Sequence, residues 1–247
     1  MRIIFLGTNG WYATNLGNTV SILIETENFY IILDAGDGIH KIDQYIDKSK
    51  PIIILLSHLH LDHIIGLHTF AKFSFSQEIF LYGYMGTKRR IKQIIKHPFS
   101  SPITNLPIKI RIQDLNEGNY NLPVPITCKL LKHADPCLGY RIGLEGKTLT
   151  YCTDTGLCDN LFELANSADL LITECSFKPG QEDWGWPHLK PEEAAQVALK
   201  AQAKKLILTH FDASVYKTKA ERMEAEVVAR RTFQNSFIAS DDLRIDL

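Results

Sequence analysis

The 247-residue sequence lacks several features that would assign it to a broad class at once. No window approaches the ~18 consecutive apolar residues of a membrane span. The first apolar run is too short for a secretion signal, and no cleavage site follows it. The formal net charge is −1, so nothing global favours a polyanionic partner. We therefore expect a cytoplasmic protein that does not associate with membranes.

Cysteine is scarce and scattered, and the five cysteines include no Cys-x-x-Cys pair. Because the number is odd and the spacing irregular, we expect reduced, mostly buried thiols and not a disulfide framework. Repeats, low-complexity tracts and linkers are also absent, whereas 45% of the residues are apolar and can form a large core. The simplest prediction is a single domain that spans residues 1–247.

A dense group of metal-capable side chains occupies residues 57–63. Three histidines and one aspartate lie there within six residues, directly after an isoleucine-rich run that is typical of a buried strand. Imidazole nitrogen and carboxylate oxygen suit zinc and similar divalent metals. Four adjacent ligands cannot easily reach a single tetrahedral ion. We therefore expect His58 and His60 to bind one ion, and Asp62 and His63 to bind another.

The order of predicted elements is typical of an α/β protein, with strands first and then strands alternating with helices. Predicted strands cover residues 3–6, 20–25, 29–34, 52–56, 79–82, 126–131, 139–144, 148–152, 169–173, 205–209 and 237–247, with short strands in 106–125 around a turn at 116–119. Predicted helices cover residues 39–46, 87–97, 159–166, 191–203 and 217–231. The helix at 191–203 has the clearest signals, because a proline and two glutamates fall in its first turn. The helix at 87–97 has a basic face, which keeps RNA as a candidate partner.

Three further metal-capable residues each follow a predicted strand, namely His133, Asp154 and His210. Strand ends in α/β architectures can converge at one rim of the sheets, where sites are usually built. We expect His133 and Asp154 to complete the ligand set of the first ion. His210 and a second oxygen of Asp154 would complete the other set. A bridging carboxylate of this kind can hold two ions ~3.5–4 Å apart.

Taken in order, these motifs are similar to those of the metallo-β-lactamase superfamily, and within it to those of ribonuclease Z and its relatives. The motifs lie at residues 5–8 with 18–21, 33–38, 57–67, 133 with 139–141, 153–155 and 208–211. The resemblance implies a four-layer αββα sandwich and a hydrolase that cleaves a phosphodiester with a metal-activated water. It implies two divalent ions, zinc first, with manganese or iron as alternatives. It also implies that Asp34 braces the metal-binding loop.

The same resemblance implies catalytic roles for three residues. Asp62 would orient the attacking water and accept its proton. His188 lies just before the helix at 191–203, matches the family's active-site histidine, and would donate a proton to the leaving oxygen. Glu174 would hold the tautomer of that histidine. Two tryptophans beside it, Trp184 and Trp186, are candidates for stacking on a base or another ring.

Two departures from the ribonuclease Z pattern bear on the substrate. Ribonuclease Z carries a long tRNA-gripping arm between its third and fourth motifs, whereas residues 134–153 leave room here only for a hairpin. The family's His-Glu-Ala-Thr segment reads Thr-Glu-Cys-Ser at residues 173–176. We therefore expect a phosphodiesterase acting on a small or medium diester, with a nucleotide or RNA among the candidates. The alternatives are a tRNA 3′-end processing endonuclease and a thioester or lactone hydrolase of the glyoxalase or lactonase type. Relatives in this branch often pair, so a homodimer is expected.

Overall fold

The computed structural model describes residues 1–47, 50–106, 108–182 and 185–247, and two seven-stranded sheets form most of it. The strands are β1 (Arg2–Gly7), β2 (Asn9–Gly10), β3 (Ser21–Glu25), β4 (Tyr30–Leu33), β5 (Ile52–Leu55), β6 (Glu78–Tyr84), β7 (Lys109–Leu115), β8 (Gly118–Leu122), β9 (Val124–Leu131), β10 (Cys137–Leu144), β11 (Lys147–Cys152), β12 (Leu170–Glu174), β13 (Leu206–Thr209), β14 (Phe211–Asp212), β15 (Ser236–Ile238) and β16 (Arg244–Asp246). The α-helices are α1 (Leu61–Ile64), α2 (Thr87–Ile94), α3 (Asp159–Ala165), α4 (Pro191–Lys200) and α5 (Lys219–Thr232), and the 3₁₀ helices are Asp37–Gln44, Ile65–Lys72 and Ile103–Asn105.

Each large sheet contains a run of parallel strands. The first sheet has the order β16-β1-β3-β4-β5-β6-β7, and the second has the order β15-β13-β12-β11-β10-β9-β8. Strands β4 to β7 are parallel in the first sheet, and β11, β12, β13 and β15 are parallel in the second. Parallel strands place their carboxyl ends at one edge of a sheet, so the loops that follow them meet there.

The alternation of side chains along the strands produces a layered core. In β1, Ile3 and Phe5 lie in the core between the two sheets, whereas Ile4 and Leu6 pack on the helical side of the first sheet. A separate cluster packs the outer face of the second sheet against α3, α4 and α5. The layers are therefore helix, sheet, sheet and helix, and the expected αββα sandwich is confirmed.

Two helices differ from the sequence-based prediction. Helix α2 ends at Ile94, short of residue 97, because the backbone of Ile95 leaves the helical region, with φ −88° and ψ +68°, and its carbonyl accepts the N–H of Ile103 at 3.0 Å. The predicted helix at 39–46 is a 3₁₀ helix over Asp37–Gln44. The longest helix in the described residues, α5, has 14 residues, and none of their helices is long and apolar enough to cross a membrane.

Candidate metal centre

The ligand-rich turn lies where β5 leaves the first sheet. All four residues of β5 are buried, so the first polar side chains appear only beyond its end. His58 and His60 precede the short helix α1, while Asp62 and His63 lie within it. His63 is completely buried, and the N–H of Ala35 donates to its carbonyl at 2.8 Å. The turn therefore has a fixed position against the loop that follows β4.

The second sheet contributes the other three predicted ligands. His133 follows β9, Asp154 follows β11, and His210 follows β13. The structure brings all three to the turn after β5, as the sequence predicts. The cluster therefore lies at the rim where the two sheets meet, with ligand side chains from both.

One half of the cluster has the spacing of a tetrahedral metal site. His63 Nε2 lies 3.1 Å from His210 Nε2. Asp62 Oδ2 lies 3.5 Å and 3.3 Å from those two nitrogens, and Asp154 Oδ2 lies 3.2 Å and 3.3 Å from them. Four ligand atoms at the usual zinc distance of about 2.0–2.1 Å are separated from one another by about 3.3–3.4 Å. These four residues therefore fit a divalent ion.

The other half consists of three imidazoles and shares the same aspartate. Ligand atoms of His58, His60 and His133 lie within 4.8 Å of one another, and His133 Nε2 is 3.4 Å from His60 Nδ1. His58 Nε2 is buried and has no hydrogen-bond partner among the described residues. A buried, unpaired ring nitrogen is costly unless a ligand occupies its lone pair. Asp154 also lies within 4.8 Å of His58 and His63, which is the position predicted for a bridging carboxylate.

A buried carboxylate orients His63. Asp34 is fully buried and accepts hydrogen bonds from the Ser57 N–H at 2.7 Å, the Ser57 hydroxyl at 2.8 Å and the Tyr151 hydroxyl at 2.7 Å. It also accepts from His63 Nδ1 at 2.8 Å. Because Nδ1 carries the proton, the lone pair of His63 lies on Nε2, the nitrogen that faces the cluster. The bracing role implied for Asp34 therefore corresponds to direct contacts.

Five of the six remaining ligand side chains have similar partners, several of which the sequence did not reveal, whereas His133 Nδ1 is buried without a partner among the described residues. The contacts are Ser57 Oγ to His58 Nδ1 at 3.0 Å, Asp135 Oδ2 to His60 Nε2 at 2.9 Å, Ser176 Oγ to His210 Nδ1 at 3.2 Å, Thr153 Oγ1 to Asp154 Oδ2 at 2.7 Å and Trp11 N to Asp62 Oδ2 at 2.7 Å. Asp135 stands two residues after His133, and this short spacing is the one signal that could have identified it. Trp11 acts through its backbone, so no side-chain pattern could reveal it.

The predicted histidine–glutamate pair forms beside the cluster. His188 Nδ1 lies 2.8 Å from Glu174 Oε1, and the His188 ring lies 5.6 Å from the ring of His133. Glu174 is fully buried and also accepts the N–H groups of Thr155 and Ser176. It therefore links the loop after β11 to the loop after β12 and orients His188. Trp184 lies outside the described residues.

Burial and charge act differently on His58 and His63, two of the three histidines that follow β5. Burial and the neighbouring His63 lower the pKa of His58 well below its ordinary value, so His58 is neutral, as a ligand must be. Burial opposes a charge on His63 as well, but Asp62, Asp154 and Asp34 outweigh it and raise the pKa of His63 well above its ordinary value. The carboxylates of this centre therefore attract positive charge, which suits a divalent cation.

The comparisons with known proteins agree with the geometry. The Beta-lactamase superfamily domain matches residues 30–211. The chain belongs to the beta-lactamase superfamily.

This superfamily member is 28% identical to Ribonuclease Z of Sulfolobus acidocaldarius over 281 aligned positions, which cover 94% of this chain and 95% of the relative. The solved structure of YhfI from Bacillus subtilis, a metallo-β-lactamase fold protein, has a TM-score of 0.82 at 22% identity and covers 99% of this chain and 98% of that one. The short form of human tRNase Z has a TM-score of 0.79 at 21% identity, covering 100% and 99%.

The predicted resemblance is confirmed, and with it the fold and the class of enzyme. This member of the beta-lactamase superfamily is a metal-dependent hydrolase, and its relatives include proteins named Ribonuclease Z and a probable metallo-hydrolase. The 281 aligned positions exceed its 247 residues, so the Sulfolobus relative has segments without a counterpart here. Between His133 and Asp154, the structure shows β10 and β11 joined tightly through Glu145 and Gly146, which is the predicted hairpin.

Proposed function

We propose that this hydrolase is a phosphodiesterase that cleaves a small or medium diester, with nucleotide-bearing diesters as the leading candidates. The observation that carries the proposal is the convergence of seven ligand side chains on one rim, with Asp154 between the two halves. The relatives named Ribonuclease Z support phosphodiester chemistry.

The ligand sets proposed for the two ions share Asp154. One set is His58, His60 and His133, and the other is Asp62, His63 and His210. Zinc is the proposed metal, although manganese and iron accept the same ligand types. Two divalent ions in these positions would make a bound water more acidic and offset the negative charge that develops on the phosphoryl oxygens.

Asp62 is the residue proposed to orient the attacking water and accept its proton. Its Oδ2 atom accepts the Trp11 N–H at 2.7 Å and lies beside His63 and His210, so its position is constrained from three sides. Burial opposes its ionisation, but the two neighbouring imidazoles outweigh burial and lower the pKa of Asp62 well below its ordinary value. An ionised carboxylate at this place can accept a hydrogen bond from water.

His188 is the proposed proton donor to the leaving oxygen. Burial disfavours its charge, but the Glu174 carboxylate outweighs this and raises the pKa of His188 to about 9. The ring is therefore protonated at neutral pH, as a general acid must be. An alkoxide leaving group needs such a proton, whereas a thiolate, whose conjugate acid has a pKa of about 8.5, leaves more readily without one. The His188–Glu174 pair therefore favours a phosphate diester over a thioester as the substrate.

The tRNA 3′-end processing alternative rests on a different surface. The basic residues Lys88, Arg89 and Lys92 of α2 are exposed, and α2 follows β6, which neighbours β5. A basic face that begins near the site could contact RNA. However, the tight β10–β11 hairpin leaves no arm at the position where ribonuclease Z is expected to grip tRNA. We therefore place this alternative second.

The proposal is tested by measuring the zinc-loaded protein against bis(p-nitrophenyl) phosphate, a thioester and a precursor tRNA side by side. We expect turnover of the phosphate diester and loss of that turnover in His60→Ala. The matched control is His68→Ala, because His68 is exposed on the adjoining 3₁₀ helix and is not part of the cluster. Turnover of the thioester alone would show that the assignment is wrong. Specific cleavage of the tRNA alone would favour the endonuclease.

A further inference from the structure

Several exposed apolar side chains lie in segments that also carry residues of the metal centre. Among the described residues, five of the exposed large apolar side chains belong to segments that carry site residues, namely Trp11, Tyr12, Leu61, Leu157 and Trp186. The two tryptophans are 65% and 53% exposed. Binding a metal ion does not itself require exposed apolar side chains nearby. Exposed apolar surface beside a polar site often marks the place where a ligand binds.

Trp11 is fixed on the Asp62 side of the centre. Its N–H donates to Asp62 Oδ2 at 2.7 Å, and its φ of +70° is uncommon for a bulky residue. The preceding Gly10 lies against His210 so closely that an added Cβ would be 2.5 Å from that ring. The Tyr12 ring packs edge-on against the Trp11 ring with centroids 5.3 Å apart. The indole is therefore exposed although its backbone is held at the site.

Trp186 lies next to the other half of the ligand set. Its ring centroid is 6.4 Å from that of His133. The following Pro187 lies against Gly156, two residues after Asp154, where an added Cβ would be 3.2 Å from the proline Cβ. The carbonyl of Trp186 accepts the His188 N–H at 3.0 Å. Trp11 and Trp186 are therefore each attached to a different half of the cluster.

We propose that Trp11 and Trp186 are stacking platforms for rings on the two ester arms of the substrate, so that the enzyme selects diesters with flat aromatic groups such as nucleobases. This inference rests on the proposed phosphodiesterase function. A phosphate diester has two ester arms, and each half of the cluster has one exposed indole attached to it. Indole faces bind nucleobases largely irrespective of sequence because every base has a π face. Tyr12 supports the Trp11 platform from its edge.

The kinetic test compares two diesters that differ in one arm. Thymidine 5′-(p-nitrophenyl phosphate) and methyl p-nitrophenyl phosphate share a leaving group, but only the first has a nucleobase. In Trp11→Ala/Trp186→Ala, we expect the ratio of kcat/KM for the thymidine diester to that for the methyl diester to fall about 5- to 150-fold, mainly through KM. Replacement of each tryptophan by phenylalanine should restore most of the ratio. Met223→Ala is the matched control, because Met223 is an exposed apolar residue of α5.

A binding test separates this inference from the proposed function. The zinc-loaded protein is titrated with thymidine 5′-monophosphate and with methyl phosphate while tryptophan fluorescence is followed. We expect quenching by the nucleotide alone, reduced in Trp11→Phe and in Trp186→Phe. If the wild-type protein cleaves neither diester, the proposed function fails while the titration still tests the platforms. An unchanged ratio, or quenching equal to that of Met223→Ala in both tryptophan variants, would overturn the inference.

Discussion

Three residues of the centre hold a backbone conformation that non-glycine residues rarely adopt. Asp34, Asp154 and His210 have φ values of +55°, +48° and +51°. Each such conformation costs about 1–3 kcal/mol and persists only where the surroundings determine it. Each lies at the end of a strand that takes part in parallel pairing. Asp34 directly follows β4, His210 directly follows β13, and Asp154 lies two residues beyond β11. The strain lets the chain turn sharply at the strand end, so that the side chain stays at the rim and does not follow the departing loop.

Asp154 provides the sharpest test at the residue scale. Because its carboxylate lies beside both halves of the cluster, Asp154→Ala should lower the occupancy of both ions, which metal analysis of the purified protein would measure. Asp159→Ala removes an exposed carboxylate five residues away and should retain the wild-type metal content. Retention of two ions per chain in Asp154→Ala would refute the bridging role.

The proposed acid role of His188 predicts a pH dependence. Its pKa of about 9 exceeds the ordinary value of about 6.5, so the proton is present at neutral pH and is lost as pH rises through about 9. For a diester with a poor leaving group, kcat/KM should therefore decline above pH 9. Glu174→Gln removes the carboxylate charge that raises the pKa of His188. In that variant the decline in kcat/KM should therefore begin at a lower pH.

The leaving group supplies the control for this profile. A p-nitrophenolate leaving group needs little protonation. The pH profile of a p-nitrophenyl diester should therefore lack the decline, and His188→Ala should slow its cleavage less than that of diesters with poorer leaving groups. Metal content should stay at the wild-type value in His188→Ala, because His188 is proposed not to be a ligand. An equal loss of rate across leaving groups would show that His188 acts in binding and not in proton transfer.

The side-chain chemistry of the centre could be predicted from the sequence, but its bracing could be predicted only in part. Histidine and aspartate at strand ends carry their signal in residue type and position. Asp135 and Ser176 act through contacts that depend on where separate loops meet, and Trp11 acts through a backbone N–H. Apart from the position of Asp135 two residues after His133, no residue pattern indicates these contacts, because their partners lie 34 to 75 residues away.

At the scale of elements, the loop after β4 and the helix after α1 approach so closely that glycine is required between them. A Cβ on Gly66 would lie 2.2 Å from the carbonyl oxygen of Gly36. Gly66→Ala should therefore destabilise the protein by about 1–3 kcal/mol or more, because backbone must shift to relieve the overlap. For a chain of this size, that lowers Tm by about 2–12 °C, measurable by thermal unfolding.

Gly143→Ala is the matched control for this substitution. Gly143 lies within β10 and an added Cβ would approach nothing closer than Pro125 at 3.6 Å. Its stability should change by less than about 1 kcal/mol, in the stabilising direction, because alanine loses less backbone entropy on folding. Equal Tm values for Gly66→Ala and Gly143→Ala would contradict the close approach inferred at the turn.

The strands were predicted better than the way they are distributed between the sheets. Apolar runs identified most strands within a few residues, because burial on both faces leaves a strong pattern. The predicted turn at 116–119 instead carries the chain from β7 in the first sheet to β8 in the second. The predicted strand at 237–247 likewise divides into β15 and β16, which belong to different sheets. Sheet membership depends on long-range pairing that a local pattern does not contain.

At the scale of the whole molecule, the two sheets make different contributions to one centre. The first sheet supplies the four proposed ligands of the turn after β5, and the second supplies the proposed ligands His133, Asp154 and His210. A bound ion would thus link the sheets at their rim, beyond the apolar core that already lies between them. The single domain over residues 1–247 and the homodimer stay predictions.

This link predicts that metal removal lowers the stability of the entire protein. An ion present at 100 times its Kd stabilises the folded state by about 2.7 kcal/mol, which for a chain of this size corresponds to about 5–10 °C in Tm. We therefore expect a chelator to lower the Tm of the wild-type protein by at least that amount, and excess zinc to restore it. In Asp154→Ala the chelator should have a much smaller effect, whereas His68→Ala should behave as wild type. An equal chelator effect in Asp154→Ala and wild type would place the stabilising ion elsewhere, since Asp154 lies between the two halves of the cluster and is shared by both proposed ligand sets.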